Sequence, residues 1–142
     1  MINIVQIANK YNIPVLPRGS ATSLAGQTTN QALIIDFTKY FDKILDINAK
    51  ERYAIVHPGV VRDQLNAAVK DLGLHFAPDP ATTSRATIGG MIANNSSGTK
   101  SIKYGKTIDH VLGLKVLLMD GTILELGQLS PDQYEAKCKQ TD

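Results

Sequence analysis

The sequence predicts an α+β fold. Helix-spaced apolar positions open the chain and recur near its middle, with short β-prone runs between and after them. The resulting order is helix, strand, loop, strand, two strands, helix, loop, hairpin, which lacks the strict alternation of a doubly wound sheet. The 142 residues, 43% apolar and 20% charged, suit one globular domain or a piece of one.

Residues 2–11 read as a helix carrying Ile4, Ile7, Ala8 and Tyr11 on one face, stopped by Asn12 and Pro14. A helix that opens without a cap is the expectation for a fragment or an altered start. Pro14 to Pro17 is short and extended. Arg18 to Asn30 has no apolar period, only small and polar residues, and reads as a long loop of the kind that is functional or disordered. Ala32 to Asp36 is a strand candidate, and Lys43–Asn48 and Arg52–His57 are two strands about a polar turn. Val61, Leu65, Ala68, Val69 and Leu72 form one helical face, with Gly73 as the stop. Phe76 to Ala86 is a loop, and Thr87 to Gly105 is rich in Gly, Asn and Ser. Leu112–Met119 and Thr122–Leu126 pair about Asp120-Gly121. The tail from about residue 128 is polar, helical at most, and has no apolar face for docking. A division falls near residues 37–43.

Composition excludes several functions. Fifteen basic against thirteen acidic residues leave +2, too little to predict nucleic acid or an acidic membrane as partner. Five Tyr and three Phe without Trp make no base-stacking platform. The single Cys138 allows no internal disulfide or cysteine zinc cage, and fits a reducing, cytoplasmic setting. No segment reads as a membrane span, because the best apolar stretch, Val111 to Met119, is too short and carries Lys115.

Two loops carry candidate chemistry. In Pro17-Arg18-Gly19-Ser20-Ala21-Thr22-Ser23-Leu24-Ala25-Gly26-Gln27, small residues admit a ligand to the backbone. Consecutive N–H groups there can make an anion-binding concavity, with Ser20, Thr22 and Ser23 hydroxyls and the Arg18 charge beside it. An ordinary surface loop has the same composition. In Ala86 to Gly98, Gly89-Gly90 open a short apolar turn, which predicts exposed helix N-terminal N–H groups for a phosphate or ring carbonyl. Asn94, Asn95 and Ser97 add neutral hydrogen bonds, and a plain Gly-rich connector is the competing reading.

Other motifs fail. Gly105-Lys106-Thr107 looks like the end of a P-loop, but position 100 is Lys where that motif needs Gly. No G-x-G-x-x-G occurs. His57, His75 and His110 are scattered and read as structural. Asp109-His110, read as neighbours on a strand, would face opposite ways. The sequence therefore nominates no catalytic residue and no metal ligand.

At the two loops the chain resembles the FAD-binding domain of the vanillyl-alcohol oxidase, or PCMH-type, flavoproteins. The branch is the FAD-linked oxidases that include D-lactate dehydrogenases and the glycolate oxidase FAD subunit. The first match is Pro17 to Gly26. The second is Pro78-Asp79-Pro80 with Ala86-Thr87-Ile88-Gly89-Gly90 and Asn94-Asn95-Ser96-Ser97-Gly98. The third is Tyr104-Gly105, Asp109-His110-Val111-Leu112-Gly113-Leu114 and Asp120-Gly121. Val56-His57-Pro58-Gly59-Val60 also matches, and coverage runs from about residue 2 to 127.

The resemblance implies two α+β subdomains with FAD between them, residues 1–36 and 37–142, both incomplete. It implies that Arg18, Gly19, Ser20, Ala21, Thr22 and Ser23 wrap the diphosphate. Pro78, Asp79, Thr87, Gly89 and Gly90 would line the flavin and ribityl side, and Asn94, Ser97, Gly98 and Tyr104 would complete that wall. Two departures stand out. Ala21 replaces the loop's usual third glycine, and Thr22 stands where some relatives tether the flavin through histidine, so non-covalent FAD is expected. The parent activity implied is hydride transfer from a D-2-hydroxy acid, bound by an absent cap domain, to FAD. An iron–sulfur or quinone acceptor would follow, with peripheral inner-membrane attachment as one setting for the full-length protein. The fragment alone is expected to be inactive, and either to form a homodimer or to bind FAD weakly. Competing expectations are a non-catalytic nucleotide-binding or assembly module and an FAD-dependent nucleotide-sugar reductase.

Overall fold

The computed structural model describes residues 1–140; the last two residues of the expected polar tail lie outside that range. The chain runs α1 (Ile2–Lys10), β1 (Val15–Arg18), β2 (Leu33–Asp36), β3 (Ile44–Asn48), β4 (Tyr53–Val56) and α2 (Arg62–Val69) with a 3₁₀ turn over Lys70–Leu72. It continues with α3 (Ile88–Ala93), α4 (Ser101–Tyr104), a 3₁₀ turn over Thr107–His110, β5 (Gly113–Leu117), β6 (Ile123–Gly127) and α5 (Pro131–Cys138). The α+β expectation holds, and the strands form three two-stranded sheets.

α1 ends in a Schellman arrangement: Ile13 N–H donates to Ala8 O at 2.8 Å and Asn12 N–H to Asn9 O at 3.1 Å, with Asn12 left-handed at φ 53°. Its inward face differs from the sequence reading. Val5 and Ala8 are buried, whereas Ile4, Ile7 and Tyr11 are exposed.

β1 and β2 are parallel, with Arg18 in register with Asp36. Parallel strands need a crossover of about a dozen residues or more. Here the irregular segment between Arg18 and Leu33 supplies it without a helix. The topology therefore obliges the first candidate loop to be long.

β3 and β4 are antiparallel with a bulge between Ile44 and Asp46. The extra residue changes the alternation, so Ile44 and Ile47, three apart, both pack on the core beside Ala54 and Val56. On that face sit Val60, Leu65, Val69, Ala86, Ile88 and Met91, the buried cluster that joins α2 and α3 to the sheet. The α2 face is narrower than its sequence pattern. After Val69 the chain tightens to 3₁₀ geometry, which rotates Leu72 out to 48% exposure, and Ala68 is exposed as well. Gly73, left-handed at φ 69°, ends the turn as expected.

β5 and β6 form the expected hairpin. Leu118 N–H donates to Thr122 O and Gly121 N–H to Leu118 O, closing a three-residue loop with Gly121 at φ 95°. Asp120 Oδ1 accepts from Thr122 N–H at 2.8 Å. α5 starts at a reciprocal Ser130/Gln133 cap with Pro131 in its first turn and buries no residue. No helix among the described residues is long and apolar enough to cross a membrane.

Candidate functional site

The site begins where β1 ends. Arg18 Nη2 donates to Asp36 Oδ2 at 2.9 Å. Asp36 Oδ1 accepts from Thr38 N–H at 2.8 Å and from Thr38 Oγ1 at 2.6 Å. The Thr38 hydrogen bonds, followed by Arg18, lower the Asp36 pKa to about 2. Arg18 Nε is buried and has no hydrogen-bond partner among the described residues.

Beyond Arg18, none of the N–H groups from Gly19 to Leu24 donates to another group among the described residues. Ala21 is left-handed at φ 58°, a conformation that favours glycine. The Ser23 hydroxyl donates to Gln27 Oε1 and closes the bend. The first loop thus presents a run of unspent backbone donors, the arrangement an oxyanion needs.

The second loop is delivered by a strand-like pairing. Val61 bridges Thr87, Ile88 N–H donates to Val60 O at 2.8 Å, and Gly89 N–H donates to Pro58 O at 2.8 Å. Thr87, 3% exposed, caps α3 by accepting from Gly90 N–H at 3.3 Å. This corrects the sequence reading of α3 as a source of free N–H groups. Ile88, Gly89 and Gly90 have all spent theirs, two on the Pro58–Val60 backbone and one on the cap. The free donors are in the first loop.

The two loops meet. Gly19 lies against the Thr87 side chain, and a Cβ at position 19 would overlap it. Between the loops is a cleft of about 270 Å³. Of the residues the sequence nominated, Arg18, Gly19, Ser20, Ala21, Thr22, Ser23, Thr87, Gly90 and Asn94 line it. Pro78, Asp79, Gly89, Ser97, Gly98 and Tyr104 lie off it. Pro78 is buried with its carbonyl accepting from Arg62 Nε at 3.1 Å. Asp79 accepts from Lys100 N–H at 3.0 Å and Thr99 Oγ1 at 3.3 Å, with Gly98 packed on it. Tyr104 stacks edge-on with His75, and its carbonyl contacts His110 Nε2 at 2.8 Å.

Pro17, Gln27, Pro80, Ala86, Met91, Ala93 and Ser96 also line it; they fall in the loops and motifs named from the sequence but are not among its nominated contacts, while Thr28 and Thr82 were missed. Thr28 continues the same polar loop one residue past the Pro17–Gln27 segment. Thr82 and Ser96 come from segments whose composition alone does not aim them. Asp109 and His110 lie in a 3₁₀ turn, not a strand. Asp109 Oδ2 accepts from Lys106 N–H at 2.7 Å, and His110 stacks on Phe76.

No carboxylate lines the cleft. Its donors are backbone N–H groups, hydroxyls, the amides of Gln27 and Asn94 and one partly neutralised guanidinium. This set fits a diphosphate, and the buried unspent Arg18 Nε is a donor awaiting such an acceptor. The volume is just below the roughly 300–1,000 Å³ of complete small-molecule pockets, so the walls enclose part of a dinucleotide. A second, more open hollow of about 520 Å³ lies over α2, but its Arg62 is already held by Pro78 O and Asp63. Among the described residues no three His, Cys, Asp or Glu side chains gather in a metal-binding group.

Comparison with known proteins gives the same chemistry. The family described as FAD binding domain matches residues 1–127. D-2-hydroxyglutarate dehydrogenase of Pantoea ananatis is 49% identical over 109 residues, which are 77% of this chain and 11% of that protein. The glycolate oxidase subunit GlcD of Bacillus subtilis is 40% identical over 126 residues, 87% of this chain and 27% of that one. The chain therefore spans about a tenth to about a quarter of these relatives. An alkyldihydroxyacetonephosphate synthase structure superposes with a TM-score of 0.76 at 27% identity, over 88% of this chain and 24% of its own. The chain belongs to the FAD binding domain family, and FAD is its cofactor.

Proposed function

We propose that the cleft is the diphosphate-binding part of an FAD site in a flavin-dependent 2-hydroxy-acid dehydrogenase or oxidase. The observation that carries this is the run of unspent N–H groups from Gly19 to Leu24, beside the unpartnered Arg18 Nε and facing Thr87. In this reading Arg18, Gly19, Ser20, Ala21, Thr22 and Ser23 bind the diphosphate, and Thr87, Gly90 and Asn94 flank the ribityl and flavin side. Pro78, Asp79, Gly89, Ser97, Gly98 and Tyr104 hold that second wall in place. Residues 1–36 and 37–142 supply the two halves of the site.

Binding is non-covalent, with the Thr22 hydroxyl donating where a tether would otherwise stand. The chemistry the bound cofactor supplies is hydride acceptance. This chain's residues bind and orient it. The substrate class, a D-2-hydroxy acid, is supported by the names of the relatives, D-2-hydroxyglutarate dehydrogenase and the glycolate oxidase subunit. Substrate recognition then falls to a cap outside this chain, and electrons pass to an iron–sulfur partner or a quinone. A reducing, cytoplasmic setting suits the exposed free Cys138, and peripheral inner-membrane attachment belongs to the same reading of the full-length protein. Exposed Ile4, Ile7 and Leu126 favour self-association of the chain when it stands alone.

Thermal melts with and without FAD test the reading. Ligand at 100 times its Kd stabilises a fold by about 2.7 kcal/mol. An upward shift with FAD supports it, and an unchanged melt at saturating FAD contradicts it.

A further inference from the structure

Asp36 is outside the cleft, yet it is the residue on which Arg18 depends. The two are register partners at the ends of parallel strands, and Phe37 N–H donates to Arg18 O at 3.0 Å. Residues 36 and 37 thus pin both the guanidinium and the backbone of Arg18. The carboxylate divides its work: Oδ1 is fixed by both Thr38 donors, which leaves Oδ2 for Arg18 Nη2 at 2.9 Å. Arg18, held this way, lines the cleft, and its Nε is buried and unspent. An isolated exposed ion pair contributes little to stability, and the Arg18 and Asp36 side chains are 30% and 42% exposed. A locked carboxylate on a rigid strand end has a clearer use in orienting a donor than in holding the fold.

We propose that Asp36, locked by Thr38, is a positioning residue that orients the Arg18 guanidinium toward the diphosphate of the cofactor. The inference rests on the FAD reading above. Deleting the lock should misalign one charge-assisted hydrogen bond, which costs about tenfold in affinity.

The experiment titrates FAD into the wild-type chain and into Asp36→Asn, Thr38→Val, Arg18→Ala and the Arg18→Ala/Asp36→Asn pair, reading Kd by flavin fluorescence and the apo melt by circular dichroism. Thr38→Val keeps every charge and removes only the hydroxyl that orients the carboxylate. The expected result is that both Asp36→Asn and Thr38→Val raise Kd about tenfold with the apo melt nearly unchanged. The double variant should bind no more weakly than Arg18→Ala, because the effect passes through Arg18. Tighter binding by Asp36→Asn with Thr38→Val unchanged would mean that Asp36 only repels the anion, and would overturn the proposal. A lowered melt with unchanged Kd would mean a structural pair, and would overturn it too. Wild-type affinity in both variants, with FAD bound by the wild type, overturns the positioning role alone. Failure of the wild type to bind FAD overturns the FAD reading and this inference with it.

Discussion

Gly19 and Thr87, far apart in sequence, touch so closely that no side chain fits at position 19 without displacing the threonine. Thr87 is itself immobile, being 3% exposed and committed as the α3 cap. A methyl group at 19 must therefore push the first loop outward. Gly19→Ala is expected to weaken FAD binding by at least tenfold while the circular dichroism spectrum stays that of the wild type. Fluorescence titration beside the spectrum checks both halves.

Ala21 gives the opposite sign. Its φ of 58° places a Cβ in the left-handed region, at a cost of roughly 1 kcal/mol. Ala21→Gly relieves it, and should raise the apo stability by about 0.5–1 kcal/mol in urea unfolding.

Beneath the second loop, Thr107 is fully buried, and its hydroxyl donates to Ser96 O at 2.7 Å. Thr107→Val keeps the shape and removes the donor, so it should cost about 1–2 kcal/mol. Met91, 1% exposed at the centre of the core, should cost about 2–5 kcal/mol when cut to alanine. Denaturant midpoints at constant slope measure both.

The Asp36 pKa, depressed from 3.8 to about 2, sets a pH dependence. A carboxyl held below its unfolded value contributes stability that is fully present above about 4 and is lost as pH falls toward 2. Because both partners are partly exposed, screening keeps the effect small: urea unfolding between pH 2 and 6 should show Asp36→Asn and the wild type coinciding at the acid end and differing only slightly, in favour of the wild type, as pH rises.

Much of this was legible in the residues. The composition of Arg18–Asn30 marked a long irregular loop, Asp120-Gly121 marked the hairpin, and Gly73 marked a helix stop. What the sequence hid was how backbone groups are spent. Gly89-Gly90 looked like open helix donors, but Pro58 and Val60 carbonyls take two of the three N–H groups, a tertiary fact with no local signal. The bulge at Leu45 likewise changed which isoleucines face inward. On α1, the spacing of Ile4, Ile7 and Tyr11 marked an apolar face, but spacing does not say what covers it, and these residues stand exposed. The four-residue α4 was too short to have a period.

In the proposed function the Arg18–Ser23 loop holds the diphosphate of FAD. The most direct measurement is a paired titration of the purified chain with FAD and with riboflavin, which has the same ring system and no diphosphate. FAD should bind at least a hundredfold more tightly than riboflavin, and Gly19→Ala should remove most of that difference. Equal affinity for the two, unchanged by Gly19→Ala, would contradict the proposal.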